Sequence, residues 1–248
     1  MPQIPSETLA IKLNGVMFAF GGPQPVLEIE DMGVQAGEKV FVFGPSGSGK
    51  STLLGLIAGV LVPERGTVEV FGQSLKDVSA AERDRLRAEK LGVIFQQFNL
   101  VPYLDLLENV LLPCQFSPGR AARVAESVQG RREKATELLN RLGLAREVSA
   151  GRTASQLSTG QQQRVAAARA LIGAPSLIIA DEPTSALDTD ARSVFIETLL
   201  TEAKDASVIF VSHDMSLSRH FDRKISIADV NRADLSAALA PAMTGEGL

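Results

Sequence analysis

Four short runs of consecutive apolar residues recur along the chain. They are VFVF at 40–43, GVIF at 92–95, LIIA at 177–180 and VIFV at 208–211. A continuous apolar run, without alternation, is typical of a strand buried on both faces of a parallel sheet. Each run is followed by polar or glycine-rich residues, and ligands in open α/β sheets gather at the carboxyl ends of strands. The pattern therefore predicts a mostly parallel sheet whose loops share one site.

The rest of the chain divides into a β-rich part, a helical part and a tail. Residues 9–30 and 67–75 contain shorter β segments with turns, which predict an antiparallel β portion beside the parallel sheet. From about 104 to 171 the pattern is mainly helical and lies between two core strands, which predicts an inserted α-helical subdomain. The fold class is thus α/β, in one domain with a tail. The expected bounds are a core of 1–95 and 166–230, a helical subdomain of about 96–165, and a loose tail of 231–248.

Composition narrows the class of protein. A chain of 248 residues with 45% hydrophobic and 22% charged residues is long enough and apolar enough to bury a sizeable core. The net charge of −4 gives no reason to expect nucleic-acid binding. The single cysteine, Cys114, favours a reducing compartment, and we expect it to be a packing or surface residue. Neither a secretion signal nor a run of 18 apolar residues is present, so we expect any membrane role to require a partner.

One stretch is strongly basic. Residues 119–134, GRAARVAESVQGRREK, carry five basic and two acidic side chains. A solvated helix face is the preferred interpretation, and a contact with lipid headgroups or a partner is the alternative.

The segment GPSGSGKS at 44–51 matches the phosphate-loop pattern G-x-x-x-x-G-K-[ST] at each fixed position. Its glycines let the backbone turn N–H groups inward as a nest for phosphate, where side chains would obstruct it. Lys50 supplies a positive charge to the outer phosphates, and the Ser51 oxygen can bind Mg²⁺. We expect nucleotide contacts from Gly44, Pro45, Ser46, Gly47, Ser48, Gly49, Lys50, Ser51 and Thr52.

Two adjacent acids, Asp181 and Glu182, follow the run LIIA. A strand end places neighbours on opposite sides, so Asp181 can hold Mg²⁺ through water while Glu182 acts as general base toward the attacking water. Two further polar residues follow apolar runs. The neutral amide of Gln96 can reach either the metal or the water, and the ring of His213 can hydrogen-bond the γ-phosphate. His220, the second histidine, is expected to be structural.

The order of these motifs resembles that of the nucleotide-binding subunits of ATP-binding-cassette (ABC) proteins. The phosphate loop, Gln96, LSTGQ at 157–161, LIIADEP, SALD at 185–188 and His213 follow one another as in that family, and the resemblance covers about residues 9–229. It implies a P-loop fold of the RecA-like type, ATP and Mg²⁺ as ligands, and ATP hydrolysis by a head-to-tail pair of cassettes. Because the chain carries one phosphate loop and one signature, neither site can be completed without a second cassette.

The resemblance also assigns roles outside the phosphate loop. The family signature L-S-G-G-Q begins a helix that faces the γ-phosphate bound by the other subunit, so Ser158, Gly160 and Gln161 are implied as nucleotide contacts. The four unpaired N–H groups of a helix start and the helix dipole suit such a role. Asp188 matches the loop that crosses between subunits. Phe20 matches the aromatic that stacks on adenine, with a core position as the alternative.

One position departs from the family pattern. Thr159 stands where the first signature glycine is usual, and a β-branched residue adds bulk near the phosphate. Threonine is nevertheless well suited to a helix start. The departure affects the detailed fit and the rate rather than the assignment.

Within the family, the segment VIFQQFNLVPYLDLLENVLLP resembles the class that drives macrolide export, lipoprotein release and related periplasmic tasks. That resemblance implies a transmembrane permease as partner, contacted by residues 99–110, at the cytoplasmic face of the inner membrane. A plain loop and amphipathic helix is an equal alternative for 99–110. Regulation of a membrane partner without solute transport is the second functional hypothesis. A P-loop kinase is disfavoured by the LSTGQ segment, and a DNA-repair ATPase by the lack of a long coiled-coil insertion.

Overall fold

In the part of the chain that the structure describes, the central sheet contains five parallel strands, including the four that the apolar runs predict. The structure is a computed structural model, which describes residues 9–185, 187 and 189–234. In spatial order the strands are β6 (Leu91–Ile94), β7 (Leu177–Asp181), β8 (Ser207–Val211), β3 (Lys39–Phe43) and β9 (Arg223–Ser226). The fifth strand, β9, has no apolar run and was not expected from the sequence.

A second sheet confirms the expected antiparallel β portion. Its strands, again in spatial order, are β2 (Leu27–Gln35), β1 (Leu9–Phe18), β4 (Arg65–Val70) and β5 (Gln73–Ser74). Phe18 pairs with Leu27 at the turn between β1 and β2, and Ile11 pairs with Val70 between β1 and β4. The second sheet covers one face of the central sheet.

Helices lie on both sides of the central sheet. They are α1 (Lys50–Ile57), α2 (Ala80–Lys90), α3 (Leu106–Phe116), α4 (Pro118–Val124), α5 (Val128–Arg141), α6 (Ala145–Ser149), α7 (Thr159–Leu171), α8 (Thr189–Glu202) and α9 (Ile227–Val230), with short 3-10 turns at Ala154–Gln156 and Met215–His220. The helices α3 to α7 lie between β6 and β7, as the helical pattern predicts. Among the helices in the described part of the chain, none is both long and apolar enough to cross a membrane.

The four strands of the central sheet that carry apolar runs are buried on both faces, which explains their continuous apolar sequence. Phe41, Ile178 and Phe210 point toward the helical layer of α3, α5, α7 and α8. Their neighbours Val42 and Ile179 point toward α1 and the antiparallel sheet. Each strand thus separates two hydrophobic cores, and alternation of apolar and polar residues is lost.

Arg120 corrects the expectation of a solvated face at 119–134. Its side chain is 2% exposed. The guanidinium donates hydrogen bonds of 2.7–3.5 Å to the carbonyls of five residues at the ends of α2 and α7, namely Ala88, Leu91, Arg169, Ala170 and Ile172. Burial lowers the pKa of Arg120 to about 10, so the group stays charged at neutral pH. It therefore joins α4 to the carboxyl ends of two other helices, whose last carbonyls lack partners within the helix.

We predict that Arg120→Ala lowers the free energy of unfolding by about 3–5 kcal/mol, because several buried carbonyls lose a charged donor at once. Urea unfolding followed by circular dichroism measures this change. Arg132→Ala is the matched control, since that exposed guanidinium lies 4.0 Å from Asp105. The control should change the free energy of unfolding by less than about 1 kcal/mol. Equal effects of the two substitutions would contradict the structural role of Arg120.

Candidate nucleotide-binding site

The loop between β3 and α1 has the backbone of an anion nest. Gly44, Gly47 and Gly49 have φ angles of 153°, 76° and 96°, which favour glycine. Among the described residues, no side chain caps the start of α1, so its first N–H groups are available to a ligand. Lys50 Nζ lies over the loop and donates to the carbonyls of Gly44 at 2.9 Å and Pro45 at 2.7 Å. The loop thus presents backbone donors and one ammonium group.

The carboxyl end of β7 lies directly beside this loop. Ser51 Oγ donates to Asp181 Oδ2 at 2.8 Å, which joins the first turn of α1 to the end of β7. Burial raises the pKa of Asp181, while the hydrogen bond from Ser51 lowers it and the neighbouring Glu182 raises it. A hydroxyl and a carboxylate at this distance form a hard oxygen pair of the kind that Mg²⁺ prefers.

Glu182 and His213 form a second polar pair at the same edge. His213 Nδ1 lies 3.0 Å from Glu182 Oε2. The Glu182 side chain is 15% exposed and that of His213 is 71% exposed, so the histidine lies outside the carboxylate. The arrangement leaves the far side of the imidazole ring accessible to a ligand.

The backbone of Glu182 has a conformation that the sequence did not indicate. Its φ angle is 47°, in the left-handed region that is unfavourable for residues other than glycine. The N–H of Glu182 donates to the Val211 carbonyl at 3.0 Å, which helps to fix this orientation. Pro183 follows directly and disfavours the right-handed helical region for Glu182. That proline was the one sequence signal of an unusual backbone here.

Gln96 and Phe20, the two remaining candidate residues outside the signature segment, are both exposed. Gln96 lies two residues past the end of β6, where Ile94 pairs with Ala180, the residue before Asp181. Phe20 is 66% exposed, and its ring packs nearly perpendicular to that of Phe18, with a centroid distance of 4.9 Å. Its exposure leaves a ring face open for stacking.

The signature segment forms the start of α7, with Ser158 as its cap. Ser158 Oγ accepts from the Gln161 N–H at 3.3 Å, and Gln161 Oε1 accepts from the Ser158 N–H at 2.9 Å. The expectation of four unpaired N–H groups is therefore wrong, since this capping box occupies two of them. Within the described part of the chain, the N–H groups of Thr159 and Gly160 have no acceptor, as expected for the first turn of a helix. Asp188, expected in the loop that crosses between subunits, lies outside the described residues.

The surroundings of His220 agree with a structural role, and those of Cys114 agree with a packing role. His220 Nε2 accepts a hydrogen bond of 3.3 Å from Arg219 Nε. Cys114 is half-buried in α3, and burial raises the pKa of its thiol. A raised thiol pKa disfavours the reactive thiolate.

The parallel sheet, the glycine loop before α1 and the paired acids after β7 define a P-loop nucleotide-binding domain. A family model described as ABC transporter matches residues 27–185. The lipoprotein-releasing system ATP-binding protein LolD of Hydrogenovibrio crunogenus is 39% identical over 209 residues, which cover 83% of this chain and 86% of LolD. The chain therefore belongs to the ABC transporter family and is an ATPase cassette of that family.

Further relatives place it near the class that the motifs indicated. The macrolide export ATP-binding/permease protein MacB of Escherichia coli is 39% identical over 224 residues, which cover 88% of this chain. The chain spans about a third of the length of MacB, 33%. The solved dimeric structure of the ATP-binding cassette MJ0796 in a post-hydrolysis state, bound to ADP and Pi, has a TM-score of 0.79 and 38% identity, and covers 90% of this chain and 97% of that one. The resemblance to the macrolide-export and lipoprotein-release class is confirmed.

We predict that Glu182→Gly is more stable than Glu182→Ala by about 1 kcal/mol, because both remove the carboxylate but only alanine keeps a Cβ at a positive φ. Thermal unfolding of the two variants measures the difference. The pair Glu137→Gly and Glu137→Ala, in the exposed middle of α5, should show the opposite order by about 1 kcal/mol. If the glycine variant is less stable than the alanine variant at both positions, the backbone of Glu182 is not strained.

Proposed function

We propose that the chain binds ATP with Mg²⁺ and hydrolyses it to power a membrane ABC transporter, through ATP-dependent pairing of two cassettes. The observation that carries this proposal is the grouping of the phosphate loop, the Ser51–Asp181 pair and the Glu182–His213 pair at one edge of the sheet. A signature helix start with two unpaired N–H groups completes the set. The dimeric structure of MJ0796 supports the pairing of cassettes.

In this proposal the phosphate loop holds the nucleotide mainly through its backbone. The N–H groups at the start of α1 bind the phosphates, and the positive end of the helix adds to the attraction. The Lys50 ammonium turns from the carbonyls of Gly44 and Pro45 to the outer phosphate oxygens, which offer it a full negative charge. The exposed ring of Phe20 stacks on the adenine.

The oxygen donors at the site fit Mg²⁺. Ser51 Oγ and Asp181 Oδ2 are within 2.8 Å of each other, and Gln96 can add an amide oxygen from the end of β6. When bound, the ion neutralises charge on the phosphate oxygens. The role of Asp181 in this set requires its ionised form, which the hydrogen bond from Ser51 supports against the effect of burial.

Hydrolysis in this proposal depends on Glu182 as general base. Its carboxylate accepts a proton from the attacking water, and its largely buried position keeps the carboxylate away from bulk solvent. With a proton on each ring nitrogen, His213 donates from Nδ1 to the Glu182 carboxylate and from its exposed Nε2 to the γ-phosphate. The positive φ of Glu182 turns its side chain from the line of β7 toward His213. The strained backbone is thus part of the positioning of the base.

The second half of each site comes from the other cassette. The unpaired N–H groups of Thr159 and Gly160, with the Ser158 hydroxyl, contact the γ-phosphate that the partner's loop binds. Gln161 supports this helix start from within the same chain, since its amide also donates to Glu147 Oε1 at 2.7 Å. Asp188 contributes to the contact between the two cassettes.

The proposed membrane partner is a permease at the cytoplasmic face of the inner membrane. Residues 99–110 are the proposed contact surface, and Tyr103 within them is 77% exposed. The names of MacB and LolD, an export permease and a lipoprotein-releasing system, support a partner of this kind. Co-purification of the full chain with a membrane protein, followed by a transport assay with that protein, tests this assignment. Stimulated ATPase activity without transport would favour regulation of the partner instead.

We predict that Glu182→Gln forms a stable dimer with ATP, because the nucleotide binds across both cassettes and is not cleaved. Light scattering after size exclusion should give about twice the chain mass of 26.4 kDa. Glu182→Gln combined with Lys50→Ala is the control and should remain a monomer with ATP. A Glu182→Gln protein that is monomeric in ATP under every condition tested would overturn the proposed pairing.

We predict that Gly160→Asp lowers ATPase activity at least about 100-fold, since a carboxylate would face the γ-phosphate at the helix start. Thr159→Gly is the matched variant and should keep or raise the activity, because it restores the usual signature residue and leaves the Ser158 cap in place. Phosphate release measures turnover, and binding of a fluorescent ADP to the monomer should stay within about twofold in both. Unchanged turnover in Gly160→Asp would contradict a role for this helix across the dimer.

A further inference from the structure

A short segment after β9 lies directly beneath the phosphate loop and contacts it at both ends. At the first end, a Cβ added to Gly44 would lie 2.3 Å from Cγ2 of Ile227, which is fully buried. At the other end, a Cβ added to Gly49 would lie 3.3 Å from Asn231 Nδ2. The segment Ile227–Asn231 therefore packs against the loop at Gly44 and at Gly49 and supports it there. It belongs to a region whose sequence shows no motif.

Among the residues that the structure describes, the Asn231 side chain makes four hydrogen bonds, and all are to the backbone. Oδ1 accepts from the N–H groups of Glu28 at 2.8 Å and Ala233 at 3.1 Å. Nδ2 donates to the carbonyls of Val26 and Ser48, each at 3.1 Å. Two donors on one side and two acceptors on the other fix the orientation of the amide. Asn231 thereby connects the start of β2 with the phosphate loop.

The bond to Ser48 controls the direction of the next N–H group. The peptide between Ser48 and Gly49 is planar and trans, so its C=O and N–H point in opposite directions. Because the Ser48 carbonyl points to Asn231, the Gly49 N–H points away from the supporting segment. Gly49 has no Cβ, so the Ser48–Gly49 peptide can rotate between orientations with little steric cost. A bond from outside the loop is therefore needed to hold one orientation.

We propose that Asn231 is a positioning residue for the phosphate loop, whose amide holds the Ser48–Gly49 peptide so that the Gly49 N–H points into the phosphate nest. The inference rests on the proposed nucleotide site. Val26 extends the same connection, since its N–H donates to the Phe18 carbonyl at 2.8 Å and the Phe18 ring contacts Phe20. Asn231 thus sets the distance between the adenine-stacking segment and the phosphate loop.

Two substitutions separate positioning from simple attachment of the segment. Asn231→Asp keeps both acceptor bonds but loses both donor bonds, and Asn231→Ala loses all four. Each should raise the Kd for fluorescent ADP and the KM for ATP about tenfold, with kcat at saturating ATP within about twofold of wild type. Arg232→Ala is the control, because it removes an exposed ion pair with Glu30 and leaves the backbone bond to Glu28 in place. Its Kd and KM should match those of wild type.

Several outcomes would overturn the inference. A lower melting temperature in both Asn231 variants with unchanged Kd would mean that Asn231 serves stability alone. A higher Kd for ADP in Asn231→Asp but not in Asn231→Ala would mean that the new negative charge repels the phosphates. If Asn231→Ala does not fold, Asn231→Asp is measured at 0.5 M salt, about where charge effects are screened. A tenfold effect that persists there supports the inference, and one that disappears overturns it. A wild-type chain that binds no ADP would instead overturn the proposed function itself.

Discussion

Because β8 pairs in parallel with both β3 and β7, the carboxyl ends of the three strands lie at one edge of the sheet. The positions of Ser51, Asp181, Glu182 and His213 in the proposed site depend on that alignment. Val211 lies beside both Val42 and Asp181 in the register. The loops that follow β3, β7 and β8 therefore begin at the same level along the strand direction. The contacts between Ser51 and Asp181 and between Glu182 and His213 join residues more than 30 positions apart in the chain. A shift of β7 by one residue would separate them.

The sequence was sufficient for those parts of the fold whose signal is local. The buried strands have continuous apolar sequence because both of their faces meet a hydrophobic core, and the phosphate loop has fixed glycines because its function lies in the backbone. The strand β9 was missed because its sequence, RKIS, is mostly polar. It is the outermost strand of the sheet, next to β3. Its pairing with β3 is determined by residues about 180 positions away, so no window around β9 contains the information.

Two polar residues show a further limit of sequence patterns. Arg120 lies in a basic stretch that is typical of a solvated helix, yet backbone carbonyls at the ends of α2 and α7 bury it. Asn231 lies where the expected tail begins, and it bonds to backbone atoms near residues 26 and 48. Backbone groups are the same in every residue, so a side chain that binds them leaves no complementary partner to recognise in the sequence. Phe20, by contrast, could be selected from the sequence, because it stands at the place of the adenine-stacking aromatic in the family pattern.

The edge of the central sheet opposite the site carries no part of the proposed chemistry. The turn before β8 includes the exposed residues Lys204 and Asp205, and strand β8 separates it from His213. The chain has one half-buried cysteine and no tryptophan. A spectroscopic label can therefore be attached through a cysteine introduced at Asp205, after replacement of Cys114, and would report on the approach of two cassettes by distance measurement. In a parallel sheet, a label at the amino ends of the strands thus lies apart from the chemistry at their carboxyl ends.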